Sequence, residues 1–83
     1  SCEVRIGFPD IATYLAQESH LFEMLKHCEG NDRVVIYCKK ENVMKPLPAN
    51  RNIRVDVDVL AKLNQYFGES RIKVVEKAIE NGQ

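Results

Sequence analysis

The sequence has no excess of either charge: twelve Lys and Arg balance twelve Asp and Glu over 83 residues. A domain that holds nucleic acid mainly by charge is ordinarily clearly basic, so composition disfavours strong non-specific nucleic-acid binding. It also has no apolar run near the roughly 20 residues that a membrane-crossing helix needs, and no basic-then-apolar leader of the secretory kind. Cysteine is scarce and unpaired. Cys2, Cys28 and Cys38 are an odd set with no CxxC spacing, which argues against a disulfide scaffold and for a reducing, cytoplasmic setting. A phosphate-cradling glycine loop, a GxSxG elbow and an HExxH helix are missing too, so neither catalysis nor a cofactor is expected. What remains is ordinary globular composition, 45% hydrophobic and 29% charged, in a length that supports one modest core.

Alternation marks the first strand. Cys2, Val4, Ile6 and Phe8 fall on one face, with Glu3, Arg5 and Gly7 on the other, and Pro9–Asp10 ends it, with a missing ladder donor and an Asp that favours a turn or a helix cap. Residues 11–20 admit two readings, because the polar run Gln17 to His20 interrupts the helical spacing of Ile11, Tyr14 and Leu15. Either one helix runs from about Asp10, or a turn precedes a helix capped by Ser19. The firmer expectation is a helix over residues 19–28, with Leu21, Phe22, Leu25 and Cys28 on one face and Gly30 closing its last turn in a left-handed conformation. A buried strand over residues 33–40 follows, with Val34, Ile36 and Cys38 inward.

The proline-bearing stretch 41–52 reads as a hairpin or extended crossing with weak strand content, and Ile53 to Val55 as a short third strand. Asp56 or Asp58 caps a second helix, whose apolar face is drawn through Val57, Leu60, Ala61, Leu63 and Phe67 and which ends at Gly68. Arg71 to Glu76 is a fourth strand, and residues 77–83 a frayed turn or disordered tail. GNDRVV at 30–35 and GESRIKVV at 68–75 echo one another. The element order is therefore βαββαβ, an α+β chain of ferredoxin-like type in complete or incomplete form, with two helices on one face of an antiparallel sheet. A central third strand tolerates proline poorly, so the sheet is weakest at residues 41–55.

Few residues carry a chemical signal. His27 beside Cys28, with Cys38 and His20, has the side-chain types of a zinc or thiol site. Adjacent helical residues point about 100° apart, however, so plain packing is the better reading. Asp56 and Asp58 read as caps rather than as a magnesium pair. Lys39, Lys40, Lys45, Arg51 and Arg54 gather within sixteen residues opposed only by Glu41. They either touch a phosphate backbone or guard an exposed strand edge against self-association. Val35 and Tyr37, opposite Ile36, are candidates for the open side of the sheet, where apolar groups suit a protein partner.

Three blocks, EVRIGF at 3–8, LKHCEGNDRVVIYCKK at 25–40 and DVLAKLNQYFGESRIKVV at 58–75, together resemble the C-terminal region of the bacterial DNA polymerase III alpha subunit of the DnaE type. That family ends in a strand, a helix, a G-x-x-polar-V-x-[IV]-Y strand, a lysine-rich hairpin and an L-x-x-L-x-x-x-x-G-x-x-x-[VI] unit. The last matches Leu60, Leu63, Gly68 and Ile72. At Cys28–Glu29 the chain departs from an aromatic and a proline that are common in the family. The resemblance implies that residues 1–83 are one small domain from the C-terminal end of a larger polypeptide, a DNA-directed DNA polymerase and so a nucleotidyltransferase, whose catalytic residues have no counterpart here. It implies a non-catalytic module of DNA replication that docks to the clamp-loader tau subunit and contacts neighbouring alpha-subunit domains, with single-stranded DNA close by. The alternative is a small-ligand-binding regulatory domain of ferredoxin-like order.

Overall fold

The computed structural model describes residues 2–76; the expected frayed tail at 77–83 lies outside them. The chain is α+β. Its elements are β1 (Cys2–Phe8), α1 (Ile11–Leu25), β2 (Glu29–Cys38), β3 (Val43–Pro46), α2 (Val57–Phe67) and β4 (Ile72–Glu76), with 3-10 turns at Ala49–Arg51 and Glu69–Arg71. This is the βαββαβ order of ferredoxin-like type. The four strands form one sheet in the order β3-β2-β1-β4. Valines and isoleucines of β1 and β2 face α1 and α2 in a single core: Val4, Ile6, Phe8, Val34 and Ile36 meet Tyr14, Leu21 and Leu25 of α1 and Val59, Leu63 and Phe67 of α2. Both helices thus cover one face, and among the described residues no helix covers the other.

The sheet is mixed rather than antiparallel throughout. β1 and β2 are direct neighbours and parallel, with Val4 opposite Val34 and Ile6 opposite Ile36, a pairing that requires a crossover, supplied by α1. β3 and β4 lie antiparallel at the two edges. The third strand is therefore not central, and Pro46 sits at an edge, where a missing N–H interrupts no interior ladder. Ile53 to Val55 is not a strand. Ile53 instead makes two isolated bridges, to Glu29 and to Asp32, so it resumes the line of β3 along the first half of β2 after the excursion through residues 47–52.

α1 is one helix from Ile11, capped by Asp10, whose carboxylate accepts from the Thr13 N–H at 2.7 Å. The polar run does not break it, because Ser19 and His20 are exposed while Tyr14, Leu21 and Leu25 are buried. Ser19 is no cap. The helix ends at Leu25, three residues before the expected boundary, and Cys28 is buried from the turn that follows. In α2, Asp56 is the cap and Gly68 the terminator, with φ +95°. Its inward stripe is Val59, Leu63 and Phe67, while Val57 is 82% exposed and Ala61 is also exposed. Helical spacing fitted both phases, and the cap at Asp56 placed Val57 at the outward first position.

Gly30 does not close a helix. It lies inside β2, where an added Cβ would stand 2.5 Å from the Arg54 nitrogen and 2.7 Å from the Ile53 carbonyl carbon. Backbone there approaches backbone, as the hydrogen bond from the Arg54 N–H to the Cys28 carbonyl at 2.7 Å requires. The echo with Gly68 is therefore one of sequence only: one glycine permits close approach, the other a positive φ. Two residues on, Asp32 accepts from the Cys2 N–H and from the Val55 N–H, each at 2.9 Å. It ties β2 to its neighbours on both sides.

Gly30→Ala is expected to destabilise the fold by about 1–3 kcal/mol, as overpacking does, read as a lower urea midpoint. Acid is expected to act through three carboxyls held below their ordinary value of 3.8: Asp10 by hydrogen bonds from Thr13, Asp32 by the Cys2 and Val55 N–H groups, and Asp56 by Arg54 and then the Val59 N–H. A folded value below the unfolded one gives stability that is complete above the unfolded value and lost as pH falls through the folded one. The thermal midpoint should therefore hold down to about pH 5 and drop below about pH 4, with part of that drop removed in Asp32→Asn.

Candidate functional site

The open face can be read directly from the register. Core residues Val34, Ile36 and Cys38 of β2 alternate with Arg33, Val35 and Tyr37, which face away from the helices. Across the sheet, Glu3 pairs with Arg33 and Val75, Arg5 with Val35 and Lys73, and Gly7 with Tyr37, which in turn pairs with Met44. A groove of about 420 Å³ opens on this face, lined by Arg5, Gly7, Tyr37, Lys39, Met44, Ser70, Arg71 and Lys73. Gly7 sits amid these side chains. A Cβ there would meet only the Arg71 carbonyl, at an ordinary 3.7 Å, so the fold does not require glycine at this position. Its bare backbone leaves space in the groove.

The charge of the groove is one-sided. Arg5, Lys39, Arg71 and Lys73 line it without a carboxylate. Glu3, 3% exposed, pairs with Arg5 through Oε2 and Nε at 2.7 Å. Arg71 is committed to the fold: its Nε donates to the Gly7 carbonyl at 2.7 Å, and its Cζ lies 4.7 Å from the Phe8 ring centroid and 5.5 Å from that of Phe67. It fastens the entry of β4 to the end of β1 and to the core. Tyr37 directs its hydroxyl toward Asn42 Oδ1 at 3.3 Å, in the turn that carries Asn42 at φ 55°.

The residues singled out in sequence do not form one patch. Lys39 and Tyr37 line the groove. Val35 has the open-face register but is 4% exposed, so it offers a partner little surface. Lys40 is exposed in the turn after β2, near the Asp10 carboxylate. Lys45 pairs in register with the core residue Ile36 and so reaches the helical side, its Nζ 3.8 Å from Glu18 and 5.6 Å from the Tyr14 ring. Arg51 stacks on Phe22 at 4.1 Å, and Arg54 pairs with Asp56 at 2.7 Å. Neighbours in sequence are thus dealt to opposite faces. Arg5, Gly7, Met44, Ser70, Arg71 and Lys73 were not singled out. Alternation had placed Arg5 and Gly7 together away from the core, but only the pairing of β1 with β4 brings Lys73 beside them.

The cysteines and histidines stay apart. Cys28 and Cys38 are buried and free, and burial raises the Cys38 thiol above its ordinary value, aided by Glu41 and Asp10. His27 is exposed, with Nε2 3.9 Å from Glu23, and His20 lies against the Tyr66 ring at 6.0 Å. Among the described residues no three His, Cys, Asp or Glu side chains gather as a metal site, and no helix is long and apolar enough to cross a membrane.

Arg71→Ala should cost about 1–3 kcal/mol of folding free energy, because it removes a charge-assisted hydrogen bond and a cation–ring contact. Arg71→Lys should recover only part of it, since lysine lacks the planar fork; thermal unfolding of the three proteins measures the difference. No protein-family model, curated protein or solved structure matches this chain.

Proposed function

We propose that this chain is a non-catalytic interaction module from the C-terminal end of a bacterial replicative DNA polymerase alpha subunit, acting in the cytoplasm by docking to the clamp-loader tau subunit beside single-stranded template. The sequence resemblance supplies the identity of the parent and of the partner. The structural observation that supports a docking role is the uncovered edge at β3. All four residues of that strand are exposed, Met44 to 49% and Val43 to 39%, and as an edge strand it is paired on one side only. An exposed edge with apolar side chains is the kind of surface that accepts an added strand or an apolar segment from a partner. The proline at its end and Lys45 within it limit self-pairing while leaving Val43 and Met44 free for a specific contact.

The test is retention of purified clamp-loader tau subunit by the immobilised chain, alongside full-length alpha with and without this domain. Val43→Lys should weaken tau retention about tenfold or more, the penalty for an unpaired charge in an apolar contact. Full-length alpha that binds tau equally well after deletion of this domain would overturn the reading.

A further inference from the structure

We infer that the groove on the helix-free face binds single-stranded nucleic acid, with Arg5, Lys39 and Lys73 contacting phosphates and Tyr37 offering its ring to a base. The inference deepens the polymerase reading, on which it rests for the presence of a strand nearby, but its chemistry is independent of tau. Three features of the face carry it.

The first is segregation of charge. The chain is neutral overall, yet several of its acids lie away from the groove: Asp10 and Asp56 cap the helices, and Glu18 and Glu23 lie on α1. Among the described residues the groove on this face is lined by Arg5, Lys39, Arg71 and Lys73 and by no carboxylate, with Arg33 farther along β2 and Glu3 buried against Arg5. Neutral composition argued against nucleic acid only while the charges were treated as evenly spread. The phosphate term depends on cations at the contact surface, not on the sum over the chain.

The second is the run of the face. Tyr37 and Arg33 project from β2 four residues apart, about 13 Å at roughly 3.3 Å per residue, and Lys39 extends the row from the turn just after the strand. Arg5 and Lys73 stand side by side across β1 and β4, adjoining that row. A linear polyanion can follow such a row; a single small anion would use only part of it. The third is the flat ring amid the cations. Tyr37 lies between Gly7 and Met44 in register, so one neighbour has no side chain and the other is a flexible apolar one. Cations flanking an aromatic ring on an open four-stranded sheet are the arrangement that takes phosphates and a stacked base together. An acidic peptide would use the cations but not the ring, which favours the nucleic-acid strand.

The test is fluorescence anisotropy of labelled oligothymidylate with the 83-residue chain at two salt concentrations. Binding should weaken with salt, with a slope of roughly 0.7 per phosphate contact. The paired change Lys39→Glu and Lys73→Glu, at two exposed side chains, should lower affinity at least tenfold and flatten the salt slope. Tyr37→Ala should lower affinity by about tenfold without flattening the slope. Lys62→Glu, exposed on α2, should bind as the parent does. Unchanged affinity in the double lysine variant overturns the inference. So does equally tight binding of polyglutamate, which would make the occupant an acidic protein segment, or of thymidine monophosphate, which would make it a small ligand. Tau retention should survive the lysine changes, and oligonucleotide binding should survive Val43→Lys, on the β3 edge and outside the groove lining. Failure of one reading is thereby distinguished from failure of the other.

Discussion

The structure depends on β2 being covered along one side for its whole length and by β1 on the other from residue 33, and on the backbone contact at Gly30 that makes this achievable. β1 occupies one side from residue 33 onward. The other side is covered in two pieces, first by β3 and then by Ile53 and Arg54. The second piece reaches β2 only because Gly30 has no side chain to hold it off. Asp32 completes the join by accepting N–H groups from both neighbours. A buried strand whose N–H and C=O groups lacked partners would cost far more than a missing side chain contributes, so a glycine in a strand interior is tolerable here.

From that join follows the division of the molecule into two unlike faces. Burying α1 and α2 on one side commits Phe8, Leu21, Leu25, Leu63 and Phe67 to a single core, and an 83-residue chain has no further element to cover the other side among the described residues. The side without a helix among the described residues is largely polar, with Val35 and Glu3 buried within it. It carries Arg33, Arg5, Lys73 and Lys39, with Tyr37 and Met44 among them. Arg71 links the two faces. It borders the groove, but its guanidinium lies against Phe8 and Phe67, so the geometry of the site is coupled to the packing of the core.

Much of the fold was legible because strong local signals coincide with tertiary demands. The inward residues Val4, Ile6 and Phe8 of β1 and Val34, Ile36 and Cys38 of β2 matched their burial, Asp56 took one of the two expected cap positions, and Gly68 ended α2 as expected. Illegible features were those where a residue type serves two purposes. Glycine can close a helix or admit a neighbouring backbone, and nothing local separates Gly30 from Gly68. Valine at the start of a helix can face in or out, and only the cap position turns Val57 outward. A polar run can end a helix or line its solvent face, as Ser19 and His20 do.

The site was less legible than the fold for a related reason. The lysines and arginines of residues 39–54 stand close in sequence, but the strand alternation and the excursion before Ile53 send Lys45 and Arg51 toward α1 and Arg54 to Asp56. Arg5 and Lys73, 68 positions apart, become neighbours because β4 returns antiparallel to β1. The sequence by itself determined which residues are apolar in strand or helix period, and therefore the α+β class and the order of elements, since periodicity is a property of adjacent positions. Tertiary structure alone decided which strands are neighbours, why Gly30 is a glycine, and which cations share a surface. Those depend on register between distant segments, and no local interaction encodes it.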